Sequence, residues 1–322
     1  MRRPYRTLPK MHNTIAALAM GALCIVSGCD KKRDPKAPLA EERVGSRAID
    51  YVPRGTDLAV HLNVAKLRKS PLFLAAVGFV RGKGHADWLK YQEKECGFPI
   101  LYVFEDVVFT RGEDGDLIVA RLGVGSDEMT ACWTKLHSTK AKMPWPADLP
   151  DYDLHTRDGL AFFGDQRAVN RVKKMAKPTV HDPRSLELSG DEAMRAEGSI
   201  ELGPFRSVSM SLETEKGGFT TQADLEAYSD TMAGAVHQKL AQVRDHTLER
   251  AKNPLAREFM KSIRLSSADT KLTVRAGYHG TSEEQLRYVD MFVELALEFG
   301  VKSALGDAAK GSDAAPDAGS RP

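Results

Sequence analysis

Four cysteines, nine histidines and one run of carboxylates are the residues whose chemistry here depends most on spacing. Glu113-Asp114-Gly115-Asp116 puts three carboxylates in four positions. A calcium loop of the EF-hand kind needs oxygen ligands spread over twelve residues and a closing glutamate, and that pattern is absent. The run reads as a solvated hairpin tip. Gly123-Val124-Gly125-Ser126 stands between a strand-like run and a helix-like one. It lacks the third glycine of a dinucleotide turn and the Gly-Lys-Ser/Thr of a phosphate loop. A helix dipole there could hold an anion, but the plain reading is a turn with an N-cap. No H-E-x-x-H pair sets two imidazoles on one helix face. His237 and His246 are nine residues apart on a predicted helix, so they point to opposite sides. Asp153 and His155 alternate onto one strand face and could meet His279 only in the fold. No G-x-S-x-G or S-x-x-K pattern stands where nucleophilic catalysis needs it. A dispersed triad or carboxylate pair leaves no spacing signal, so an envelope hydrolase stays open as an alternative. No catalytic, cofactor-binding or metal-ligating residue is assigned.

The cysteines are constrained by what precedes them. Arg2, Arg3, Arg6 and Lys10 form a basic start with no acidic residue. Ile15 to Val26 is an uncharged, largely apolar run of twelve residues, the length of a signal-peptide core and too short to span a bilayer. Val26-Ser27-Gly28-Cys29 follows. This order resembles the lipobox of bacterial lipoproteins: an aliphatic residue, two small ones and an obligatory cysteine. The resemblance covers about the first thirty residues. It implies cleavage before Cys29, a diacylglyceryl thioether on the Cys29 sulfur, and acylation of its amine by a fatty acid such as palmitate. A thiol is required because its thiolate attacks the lipid donor. Several acyl chains anchor stably, each buried CH₂ contributing about 0.8 kcal/mol. The protein is thereby expected at a membrane, facing the periplasm; Asp30 does not decide between inner and outer membrane.

Removal of the leader changes the charge. The chain holds 46 Lys and Arg against 44 Asp and Glu; without the four basic residues of positions 1–28 the balance is 42 to 44, a net of −2. A nearly neutral chain without basic blocks is a poor nucleic-acid binder. Cys24 leaves with the leader and Cys29 is lipidated, so Cys96 and Cys132 remain in a compartment that permits disulfides. They read as one bridge, with two buried thiols as the alternative.

Elements follow from patterning. Asp57–Asn63 reads as a strand, Ser70-Pro71 as a helix start, and 86–95 as a helix stopped by Gly97. Two strand-like runs joined by a turn, then a capped amphipathic helix, recur about four times. Val107–Thr110 and Leu117–Ala120 flank Asp114-Gly115, and Ser126 would cap a helix through Met129, Cys132, Trp133 and Leu136. Strands 153–156 and 160–163 flank Asp158-Gly159, with Asp165 capping a helix that carries Ala168, Val169 and Val172. Strands 207–214 and 219–228 precede Ser229 and a helix with Met232, Val236, Leu240 and Val243 on its apolar face, expected to dock on its own sheet. A short helix is expected after Pro254. Strands 263–266 and 271–279 precede a Thr281/Glu284 capping box and a helix with Leu286, Val289, Val293 and Ala296. Trp88 and Trp133 read as core, and Trp145 joins no aromatic stripe.

The expected fold is α+β: antiparallel sheets with helices on one face, built from repeated hairpin-plus-helix units, with two modules that could be related. The divisions are 1–28 signal peptide, 29–46 charged tether, 47–180 first module, 181–198 linker, 199–303 second module and 304–322 a small, polar disordered tail. Tyr51-Val-Pro-x-x-Thr-Asp57, the strand after it, and Lys66-Leu67 with Ser70-Pro71-Leu72 resemble the opening of DUF3352-like exported proteins; that resemblance implies no activity. The functional expectation is a non-catalytic binding or scaffold protein, held to the membrane through Cys29, with an envelope protein as partner. A periplasmic lipid- or solute-binding protein is the alternative.

Overall fold

A computed structural model of the protein describes residues 47–53, 55–73, 77, 86–138, 152–175, 186–199, 205–215, 217–281, 283–284 and 287. The leader, Cys29, the tether, Trp145, the tail and most of the helix expected after Thr281 lie outside these residues. After a 3₁₀ turn, Ala48–Tyr51, come β1 (Thr56–Asn63), a helical turn α1 (Val64–Leu67) and α2 (Ala86–Cys96). Then follow β2 (Phe104–Gly112), β3 (Gly115–Leu122), α3 (Ser126–Ser138), β4 (Asp153–Arg157), β5 (Leu160–Gly164) and α4 (Gln166–Lys174). The rest are β6 (Glu192–Gly198), β7 (Phe205–Glu215), β8 (Gly218–Ala227), α5 (Asp230–Arg250), α6 (Pro254–Ser262), β9 (Arg264–Ala268) and β10 (Lys271–His279). The chain divides into two units after Arg195.

Turn chemistry dictates the antiparallel pairing. Asp158 and Gly159 both take positive φ, 54° and 74°, the geometry whose twist matches the flanking strands. They set Arg157 of β4 opposite Leu160 of β5. Asp269, at φ 50°, does the same between β9 and β10, pairing Ala268 with Lys271. At the β2–β3 turn, Gly112 pairs with Gly115. Gly115 sits at φ 98°, and a Cβ there would lie 2.2 Å from a carboxylate oxygen of Asp165. Only glycine fits that approach.

In unit 1 the neighbours run β4-β5-β3-β2-β1-β6. Adjacent residues of β5 face opposite ways, and both sides are covered. Phe162 is fully buried and meets the Tyr51 ring edge-on at 4.9 Å. On that side Val108, Val119 and Leu160 join Ala168, Val169 and Val172 of α4 in one cluster. Phe163 points the other way, into Trp133 of α3 at 5.2 Å and Phe104 at 5.9 Å. The α+β class with antiparallel strands is what the structure shows. Unit 1 differs from the expected single helical layer in having helices against both sheet faces. The reason is visible in β5, whose uninterrupted Leu-Ala-Phe-Phe has no solvent side.

Unit 2 has the order β7-β8-β10-β9. Phe219 pairs with Tyr278, and both are buried with Leu272 and Ala276 on the same face. α5 packs against β8, β9 and β10, and α6 against β10, with Phe259 and Met260 buried. The opposite face is polar, with Ser209, Gln222, Asp224 and Thr273 in neighbouring registers.

Three expectations change. The 181–198 stretch is not a plain linker: Leu186 is buried and β6 occupies 192–198. Glu-Ala-Met-Arg-Ala-Glu carries no β signal, and the strand exists through tertiary pairing, with Glu192 buried by bonds from Ser189 and Arg195. Ser126 is the first helical residue of α3, and the Glu128 carboxylate reaches back to the Gly125 N–H. Asp165 precedes α4 but makes no side-chain cap; its carboxylate accepts the Asp116 N–H at 2.7 Å. By contrast, Ser229 accepts from the Met232 N–H at 3.2 Å, and Thr281 and Glu284 make both halves of their capping box.

Candidate functional site

A cleft in unit 1 lies between α4, the β2–β3 hairpin and the 48–51 turn. Its floor is apolar, formed by Tyr51, Leu117, Ala168, Val172 and Met175, and its cavity volume is about 40 Å³. Val172 and Ala168 face inward because they share the helix side that carries Val169. At the mouth, the Arg171 guanidinium pairs with Asp114 of the hairpin tip. Arg157 closes one flank: it donates to the Tyr51 hydroxyl at 3.0 Å and to the Met175 carbonyl at 2.8 Å, and lies over the Tyr51 ring. Behind the hairpin, Arg111 donates to both Asp116 oxygens at 2.6 and 2.7 Å. Tyr152 donates to Asp116 at 3.1 Å. Burial, then the Asp116 charge, pushes the Tyr152 hydroxyl upward, so it stays protonated. A cleft of about 40 Å³ has room for a few waters or one small group over its apolar floor, with one ion pair at the rim.

Two of the three carboxylates of 113–116 are thus spent on neighbours, Asp114 on Arg171 and Asp116 on Arg111 and Tyr152. Among the described residues no group of His, Cys, Asp and Glu has a metal-site arrangement. At Gly123–Ser126 two backbone donors are also spent, Gly123 on the Val103 carbonyl and Gly125 on Glu128. Asp153 and His155 do share a face of β4. His155 stacks on Phe162, and burial followed by Lys173 and Arg157 lowers its basicity. His279 belongs to unit 2 and is exposed on β10. On α5, His237 is half-buried and His246 exposed. Cys96 and Cys132 form a disulfide with a Cα–Cα distance of 4.9 Å, joining the end of α2 to α3. Trp133 lies between His137 and Phe163.

Two features escaped sequence reasoning. The buried side of α5 is not the 232/236/240/243 stripe: Met232 and Val243 are 45% and 49% exposed, while Ala233 is fully buried. The inward row is Ala233, His237, Leu240, Arg244 and Leu248, about a quarter turn away. The second is His61. It lies in the apolar strand Asp-Leu-Ala-Val-His-Leu-Asn and is 7% exposed. Its Nδ1–H donates to the Leu186 carbonyl at 2.8 Å, and its Nε2 lies 2.7 Å from an Asp106 oxygen. A lone histidine in an apolar strand was the available signal, but its partners are 125 and 45 positions away.

No protein-family model matches the sequence, and no curated protein is a match. Similar solved structures include three crystal forms of TP0453. Form III has a TM-score of 0.42 at 8% identity, over 76% of this chain and 98% of that one. Form IV has 0.41 at 7%, over 76% and 97%. Form I has 0.38 at 9%, over 76% and 97%. A likeness at these values bears on no residue's role.

Proposed function

We propose that this chain is a lipid-anchored protein of the cell envelope, facing the periplasm, whose folded part is a non-catalytic binding or scaffold module. The observation that carries the reading is Val26-Ser27-Gly28-Cys29 directly after the twelve apolar residues from Ile15. Cleavage before Cys29 and lipidation of its sulfur put the anchor at the first mature residue. The charged stretch 29–46 then holds the folded units off the surface. Among the described residues no helix is long and apolar enough to cross a membrane.

A second reading is carriage of a small solute or lipid, and the apolar floor of the unit 1 cleft favours it. Native mass spectrometry on full-length protein, extracted gently from membranes, separates the two. A mass equal to the chain from Cys29 plus acyl groups is expected, and an unmodified Cys29 overturns the anchor. A retained protein mass supports the scaffold role, and a retained small mass supports the cleft. A bare lipidated monomer that also captures no partner under crosslinking overturns the scaffold reading.

A further inference from the structure

The stretch between Leu186 and β6 is strapped to unit 1 by side chains rather than by a strand ladder. Arg47 reaches Glu187 at 2.9 Å. Lys66 donates to the carbonyls of Gly190 and Glu192. Ser189 donates through its N–H and hydroxyl to Glu192. The innermost tie is His61, buried between the Leu186 carbonyl and the Asp106 carboxylate. A carbonyl oxygen can only accept, so the first bond requires a proton on Nδ1. A carboxylate also accepts, so the second requires a proton on Nε2. Both bonds together need the imidazolium.

We propose that His61 is a protonation-dependent latch that holds the 186–192 strap against β1 when doubly protonated and releases Leu186 when one proton is lost. The remaining proton goes to the stronger partner. A bond to a carboxylate is stronger than one to a neutral carbonyl, so the neutral ring keeps Nε2–H toward Asp106. Its bare Nδ1 then faces the Leu186 carbonyl, lone pair against lone pair. The charged groups around the ring favour this order. Asp106 projects from β2. Arg47 opposes the imidazolium, but its guanidinium is already paired with Asp50 of the 48–51 turn and with Glu187 of the strap. From β6, Glu192 is held by Arg195; Asp191 is exposed. Burial alone lowers the basicity of His61, and the bond and charge of Asp106 with the Leu186 carbonyl outweigh it, so the balance is upward from 6.5. A group raised in the folded state stabilises fully below its unfolded value, about 6.5. That contribution fades as pH rises through the higher folded value. The latch stands on unit 1 alone and is independent of the lipid anchor.

The test compares the full-length protein with Asp106→Asn. An asparagine amide can donate to Nε2 of the neutral ring, leaving Nδ1–H on Leu186 at every pH. Hydrogen exchange of the 186–192 amides is followed by mass spectrometry from below to above the His61 titration, corrected for the intrinsic rate. Exchange in the wild type is expected to rise about three- to tenfold across the titration, the loss of one net hydrogen bond, and to stay level in Asp106→Asn. Imidazole ¹⁵N shifts in the wild type are expected to show two protonated nitrogens below the titration and Nε2–H alone above it. Retention of Nδ1–H at high pH overturns the proposal, and so does equal exchange in the two proteins.

Discussion

The two units solve the burial of an antiparallel sheet differently. In unit 1, β5 reads Leu-Ala-Phe-Phe-Gly and every residue is buried; Phe162 meets the 48–51 turn and α4, and Phe163 meets α3. In unit 2, β7 reads Ser-Val-Ser-Met-Ser-Leu from position 207, and no residue of that strand is fully buried. Its apolar side chains share the face that buries Phe219 and Leu272, and its serines share the face with Gln222, Asp224 and Thr273. A continuous apolar run marks a strand covered twice, and alternation marks one covered once. The difference predicts where each unit concentrates its stability.

Truncating the doubly covered strand should cost most. Phe162→Ala is expected to destabilise unit 1 by about 3–5 kcal/mol, against about 1 kcal/mol or less for Leu225→Ala on the half-buried face of unit 2. The described Trp88 and Trp133 lie in unit 1, and no tryptophan follows position 145 in the sequence. Urea unfolding followed by tryptophan fluorescence therefore reports unit 1, and far-ultraviolet circular dichroism reports both. Equal costs would break the contrast. Next in size, Cys96→Ser with Cys132→Ser removes a crosslink spanning 36 residues and should cost about 2–4 kcal/mol. That loss belongs on the fluorescence transition; a shift of the dichroism curve with the fluorescence transition unmoved would place it in the wrong unit.

Smaller effects sharpen the account of unit 2. Ala233→Leu on the buried row of α5 should cost about 1–3 kcal/mol through overpacking. Val243→Ser, on the exposed edge of the same helix, should stay within about 0.5 kcal/mol. The reverse ranking in thermal melts would restore the stripe through Met232 and Val243 as the docking face. Ser229→Ala removes the bond to the Met232 N–H and should cost about 1 kcal/mol, read as a lower helix melting temperature with unit 1 fluorescence unchanged.

Much of the fold was legible locally. Asp158-Gly159 tolerates left-handed backbone at both positions, so the hairpin it closes is written in those residues. Ser229 and Thr281 announce helix starts because a cap bond is local. The apolar spacing of 168, 169 and 172 gives the buried side of α4. On α5 the same reasoning chose the wrong edge. Its inward row includes Arg244, whose stem lies inside while the guanidinium reaches the Ile263 carbonyl, and an arginine carries no apolar signal. β6 was missed because its helix-favouring residues become a strand only beside a partner.

Sequence alone determined the α+β class, the hairpin turns and most helix starts, because turns and caps depend on groups within about four residues of one another. Tertiary structure decided which sheet faces are covered, that 192–198 is a strand, that Asp165 serves Asp116 rather than its own helix, and that His61 sits between Asp106 and Leu186. Those outcomes depend on groups far apart in the chain meeting in the fold. For His61 they depend also on burial, which leaves the imidazole only those two partners.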